Sequence, residues 1–143
     1  LRNKIDAILK NDRDAEIVIM GDLNDQPTAP SVAQHLGSSV SLQDVRARRG
    51  MLWNLMGPFV DEVNGGSYKY GGKDLVYDQI IVSPGLADTL GLFALPESIH
   101  IPGDPKYRQG GEYEGYPFRF WTGNRLLGGY SDHLPVSVSI GAN

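Results

Sequence analysis

Apolar positions recur at helical spacing in the first segment, where Leu1, Ile5, Ile8 and Leu9 alternate with Arg2, Lys4, Asp6 and Lys10, predicting an amphipathic helix. Glu16 to Met20 then reads EIVIM, a short β-branched run stopped by Gly21, which suits a buried strand. After GDLND, the turn Gln26-Pro27-Thr28-Ala29-Pro30 leads into a short helix around Ser31 to Leu36, with Gly37 as its C-cap. Between Val40 and Val63 the pattern is weaker. A basic cluster, Arg46, Arg48 and Arg49, precedes the apolar stretch Met51 to Met56, which reads as a short helix before Gly57-Pro58.

Gly65-Gly66 and Gly71-Gly72 bracket Ser67 to Tyr70, and Leu75 to Val82 predicts a central strand ended by Ser83-Pro84-Gly85. Ile99 and Ile101 mark a further short strand. From Gly103 to Gly129 the chain is rich in Gly, Tyr and Arg without period, which predicts a long ordered loop or a weak hairpin, and long loops in compact domains are often functional. Leu134, Val136, Val138 and Ile140 alternate with Pro135, Ser137 and Ser139 in a half-buried final strand. No repeat, low-complexity tract or internal boundary interrupts the 143 residues, which suits one domain.

Composition adds exclusions. Hydrophobic residues make up 41% and charged residues 21%, ordinary globular usage. Thirteen Lys and Arg against 17 Asp and Glu leave a net charge of -4, which disfavours unaided binding to duplex nucleic acid. The absence of cysteine removes disulfides, thiolate nucleophiles and cysteine-based zinc sites, and no apolar run approaches the roughly 20 residues of a membrane span. Leu1 is not an initiator methionine, so polypeptide upstream is expected to be missing.

Three polar clusters fall at strand ends: Gly21-Asp22-Leu23-Asn24-Asp25, Asp78 within VYDQIIVS, and Ser131-Asp132-His133. Strands of one sheet could bring them together. Carboxylates hold a hard divalent cation and orient water, while an amide and a protonated imidazole donate hydrogen bonds to an anionic phosphate, so the combination suits phosphodiester hydrolysis. A carboxylate at Asp78 in an otherwise apolar strand must be paired or reach an open site.

The stretches Ile17 to Asn24, Tyr77 to Ser83 and Gly129 to Val136 resemble, in order and interval, the three C-terminal motifs of the endonuclease/exonuclease/phosphatase family. The resemblance covers nearly the whole chain but only the second half of that family's domain. It implies an α/β fold, half of a four-layer α/β/β/α sandwich with one mixed sheet and covering helices, in which residues 1–143 form the C-terminal part and the N-terminal half is absent. It further implies that Asp22 orients or deprotonates the attacking water, and that Asn24 contacts the phosphate or a metal-bound ligand. By the same resemblance, His133 would face the scissile phosphate and Asp78 would accept a hydrogen bond from its other nitrogen. Asp132 and Asp22 lie at the metal, Mg2+ or alternatively Mn2+.

The implied activity is a metal-dependent phosphoesterase acting on nucleic acid, an inositol phosphate or a phospholipid head group, inactive as this half. The alternative is a non-catalytic binding or assembly module that keeps the half-fold. An exposed apolar sheet face is expected to recruit the missing half or to self-associate. Arg119, Arg125 and Trp121, with Lys106, Arg108, Tyr116 and Phe120, are weaker candidates for substrate contact in the Gly-rich segment. Residues 116–125 resemble the loop of secreted or periplasmic bacterial members of that family. His35 and His100 read as structural, Trp53 as core, and Arg46, Arg48 and Arg49 as a solvated face.

Overall fold

The computed structural model describes residues 1–61 and 65–143, so the end of the Val40–Val63 stretch lies outside the described residues. Helix α1, Arg2–Asn11, buries Ile5 and Leu9, one i, i+4 row, whereas Leu1 is 70% and Ile8 43% exposed, so its apolar stripe is narrower than the periodicity predicts. Arg2 anchors it, donating from Nη1 to the Leu36 carbonyl at 2.9 Å and from Nη2 to that of Gly50 at 3.0 Å. Strand β1, Val18–Asp22, follows, then a π-helical turn, Ser31–His35, where a short helix is expected.

Strand β2, Ser38–Ser39, runs parallel to β3, Leu52–Asn54, with helix α2, Leu42–Ala47, between them. Ser41 caps α2 by accepting from the Asp44 backbone N–H at 3.3 Å. The expectation of a helix over Met51–Met56 is therefore wrong. Leu52, Trp53 and Asn54 are all buried between strands, and a short, mostly apolar run does not distinguish a buried strand from a helix until its neighbours are known.

Strands β4, Tyr68–Tyr70, and β5, Lys73–Leu75, form a hairpin closed by Gly71-Gly72, both at positive φ (56° and 79°), as a primed two-residue turn requires. Strand β6, Asp78–Val82, is shorter than the predicted Leu75–Val82 because Val76 leaves the ladder and donates its N–H to Gln26 Oε1 at 3.1 Å. Strand β7, Leu92–His100, is longer than expected. Two mini-strands in the long loop, β8 at Trp121–Thr122 and β9 at Arg125–Leu126, pair with each other, and the last strand, β10, covers Ser137–Ala142. Leu134 thus precedes the final strand and is not part of it.

The fold is mixed α/β. Its main sheet has the order β1-β6-β3-β2, with β6 antiparallel to both β1 and β3. On one face Ile81 and Leu52 pack with Ile5 and Leu9 of α1 and with Val32 and Leu36. On the other, Ile80, Val82 and Trp53 pack with Val45, Leu86 and Ala94, joined by Ile99, Val136 and Val138. Helices therefore do not cover the whole sheet: the second face is roofed in part by the antiparallel β7–β10 pair. Trp53 is core, as its sequence context suggests.

β1 is an edge strand, and this corrects the reading of EIVIM as buried. Ile17 and Ile19 pack under α1, but Val18 is 43% and Met20 66% exposed, since the β7–β10 roof reaches β6 and β3 and stops short of β1. Leu92 and Ile140 on the roof are likewise about two-fifths exposed. The apolar face is thus uncovered along one margin.

At Gly85 a Cβ would collide with the Asp14 carbonyl, so the turn after β6 can lie against the segment leading into β1 only without a side chain. Gly85→Ala is expected to lose about 1–3 kcal/mol by urea denaturation. Gly103→Ala, where the added methyl meets nothing within 4 Å, should stay within about 0.5 kcal/mol.

Candidate active site

The β1–β6 register sets the geometry. Met20 opposes Ile80, and Asp22 opposes Asp78, so the strands end with two carboxylates side by side. Like charges directly across a ladder repel, and a donor between them is needed. His133 fills that place. Its Nδ1 lies 2.7 Å from Asp78 Oδ2, and its Nε2 lies 4.0 Å from Asp22 Oδ2. A carboxylate can only accept, so Nδ1 carries the hydrogen that Asp78 receives, and Nε2 is left facing the space beside Asp22. The Asp78 and His133 side chains are 18% and 22% exposed, and that of Asp22 is 37% exposed, so the pair is sheltered at its back and open at its front.

Asp22 is held by the turn that follows it. Its Oδ1 accepts from the Asn24 backbone N–H at 2.8 Å and its Oδ2 from the Asn24 side-chain amide at 3.2 Å. This local bond places Asn24 at φ 53°, a conformation asparagine tolerates better than most residues. Leu23 donates to the Tyr77 carbonyl at 2.9 Å, which carries the β1–β6 ladder past Asp22.

Three residues that sequence reasoning passed over support this arrangement. Ser67, fully buried, accepts from the Asp78 N–H through Oγ at 3.0 Å and from the Leu134 N–H through its carbonyl at 2.6 Å, tying the loop of His133 to the start of β6. Tyr68 stacks on the His133 ring, centroids 4.5 Å apart and planes at 24°. Gln79 is 1% exposed and uses both ends of its amide: Nε2 donates to the carbonyls of Asp25 (2.5 Å) and Val76 (3.3 Å), and Oε1 accepts from Asn54 Nδ2 at 2.7 Å. A glutamine buried in an apolar strand was the available signal, since such a group must find partners. Ser67 and Tyr68 carry no comparable signal in sequence.

The remaining candidates scatter. Asp132 is exposed and makes no hydrogen bond or ion pair among the described residues. No group of three or more His, Asp or Glu that could hold a metal ion occurs among the described residues. Asp22 and Asp132 are hard oxygen donors of the right chemistry, but they do not make a cation site by themselves.

Arg119 and Arg125 line a cleft beside Tyr68, whereas Trp121 is 54% exposed against Phe120 and is not part of its lining. At the start of the long loop, the Lys106 backbone N–H, followed by its side chain, holds the Asp104 carboxyl below its usual range, and Asp104 in turn holds the Lys106 amine above its own. Arg46, Arg48 and Arg49 join Arg13 along a separate groove. His35 and His100 are exposed, and neither belongs to the polar cluster.

Residues 1–142 match the family model described as Endonuclease/Exonuclease/phosphatase family. No curated protein and no solved structure matches the chain.

Gln79→Leu should leave Asn54 Nδ2 and the Asp25 carbonyl buried without partners, at about 1–3 kcal/mol for each group. The double variant Asn54→Leu/Gln79→Leu should recover part of that loss in a urea-denaturation double-mutant cycle. Additive losses would show that the two amides are not coupled.

Proposed function

Because the chain belongs to the endonuclease/exonuclease/phosphatase family, a hydrolase family acting on phosphoesters, we propose that it carries the proton-handling half of a metal-dependent phosphoesterase site. The observation that carries this reading is His133 set between Asp78 and Asp22, three residues from separate segments meeting at one end of the sheet. Asp78 fixes the ring through Nδ1, so that in the doubly protonated imidazolium Nε2–H can donate to a phosphoryl oxygen as negative charge grows there. Asp22, the more exposed carboxylate, accepts a proton from a water that attacks phosphorus in line. The ester P–O bond breaks without a covalent enzyme intermediate, and the leaving oxygen takes up a proton from solvent water. One amide N–H of Asn24 is held by Asp22, and its second is free to meet the phosphate.

A bound divalent cation, Mg2+ or Mn2+, would act as a Lewis acid on the phosphate and lower the pKa of a bound water. Asp22 and Asp132 would each supply an oxygen ligand. The described residues hold no group of three ligands, so water and polypeptide outside them would supply the rest of the set. Val18 and Met20 lie on the same strand face as Asp22, four and two residues before it, and remain exposed. This supports a second half of a four-layer sandwich that covers that margin and completes the ligand set, with residues 1–143 as the C-terminal part. Arg119 and Arg125 would meet the substrate beside Tyr68. No helix among the described residues is long and apolar enough to cross a membrane.

The test is hydrolysis of bis-p-nitrophenyl phosphate with Mg2+ or Mn2+ by this chain, by a version extended upstream, and by that version with His133→Ala. Activity is expected only with the upstream polypeptide, and His133→Ala should lower kcat about 10²–10⁴-fold. Asp78→Asn, which keeps the shape but not the carboxylate, should also lower kcat while leaving KM nearly unchanged. Inactivity of the extended version on this ester and on natural phosphoesters would favour a binding module instead.

A further inference from the structure

Between the β4–β5 hairpin and the long loop lies a cleft of about 530 Å³, lined among others by Tyr68, Tyr70, Tyr113, Tyr116, Arg119 and Arg125. Tyr68 belongs both to this cleft and to the active-site cluster, because the same ring stacks on His133. The cleft therefore opens one side chain away from the proposed site of phosphate hydrolysis.

Its chemistry is unlike that of the chain as a whole. In a protein of net charge -4, the lining holds Lys69, Arg119 and Arg125 against a single carboxylate, Glu112. Lys69 is engaged, 3.5 Å from Asp74 and 5.6 Å from the Tyr116 ring centroid, whereas neither arginine has an ion-pair partner among the described residues. The Arg119 Nε is buried and has no hydrogen-bond partner among the described residues, so a donor is already desolvated beside the cleft with nothing to receive its hydrogen.

The walls are planar. Tyr113 and Tyr116 meet edge to face with centroids 6.0 Å apart, and the Tyr116 hydroxyl, accepting from the Gly72 N–H at 2.9 Å, fixes the loop against the hairpin. Tyr70 and Tyr113 stand 70% and 54% exposed at positions where a flat ligand would cover them. Leu127 is the one aliphatic side chain in the lining.

Guanidinium groups with open donors take phosphate oxygens, and tyrosine faces take flat, π-bearing rings. We infer that the cleft is a subsite for a nucleotide unit, with its phosphate on Arg119 and Arg125 and its base among the tyrosines, next to the phosphate that His133 faces. This rests on the phosphoesterase reading and selects one substrate class within it. An inositol ring has no π face to stack, and the acyl chains of a phospholipid would find only Leu127.

The test is calorimetric titration of the 143-residue chain, without metal, with AMP, adenosine, ribose 5-phosphate, myo-inositol 1-phosphate and a short single-stranded oligonucleotide. AMP should bind more tightly than adenosine, ribose 5-phosphate or inositol phosphate. Arg119→Gln should weaken AMP about tenfold and leave adenosine unchanged, whereas Tyr113→Leu should weaken both. Arg125→Gln, at an exposed position, gives the same reading should Arg119→Gln fail to fold as judged by its thermal melt.

An oligonucleotide binding more tightly than AMP would support a polymeric source, and equal affinities would support free nucleotides. Inositol phosphate binding as well as AMP, no AMP binding by folded chain, or AMP affinity unchanged in the folded variants would overturn the subsite. Hydrolysis of bis-p-nitrophenyl phosphate separates the two claims. AMP binding without hydrolysis by the extended version leaves a nucleotide site and removes the phosphoesterase, while hydrolysis without AMP binding does the reverse.

Discussion

The register that sets Asp22 against Asp78 is the constraint around which this end of the molecule is built. Two carboxylates opposed across an antiparallel pair repel, and a one-residue slip would remove the conflict but turn Ile19 and Ile81 away from α1. The core therefore enforces the juxtaposition, and the imidazole of His133 compensates for it. With Nδ1 at 2.7 Å from one carboxylate and Nε2 at 4.0 Å from the other, the ring donates a hydrogen bond to the close partner and keeps an open approach to the distant one. A structural necessity at the sheet's end thus yields an oriented imidazole with one ring nitrogen left open.

The imidazole is itself over-determined, which is what an active group requires. Tyr68 stacks on the ring, Ser131 Oγ accepts from the His133 N–H at 3.1 Å, and Ser67 bonds to residues on either side of the join, Asp78 and Leu134. Gln79, the next residue in β6, reaches the other way to hold the Asp25 carbonyl and so the turn that carries Asp22 and Asn24. Neighbouring residues of one strand therefore position both flanks of the cluster: Asp78 through the histidine and Gln79 through the turn.

Much of this was legible in the sequence where local chemistry decides it. The turn after β1 follows from Gly21-Asp22-Leu23-Asn24, since an Asx-type bond needs only neighbours, and a charged residue in the apolar run of β6 announced that Asp78 needed a partner. The strand over Leu52–Asn54 was not legible, because a short, mostly apolar run has no period to betray it and the deciding hydrogen bonds come from distant strands. The exposure of Val18 and Met20 was hidden for a related reason. EIVIM has the composition of a buried strand, and only its place at the sheet edge leaves one face open. Ser67 and Tyr68 illustrate the hardest case, residues of ordinary type whose role comes wholly from what packs beside them.

The uncovered margin and the carboxylate of Asp22 belong to the same surface. Side chains alternate along a strand, so Val18, Met20 and Asp22 project from one face of β1, and their partners Val82, Ile80 and Asp78 share it. The β7–β10 pair covers the β6 side of that face and leaves the β1 side bare. Any polypeptide that shields Val18 and Met20 from water must then lie over the face from which Asp22 points, within reach of its carboxylate. Under the proposed phosphoesterase reading, a polypeptide that removes Met20 from water would therefore also be placed to supply further oxygen ligands beside Asp22.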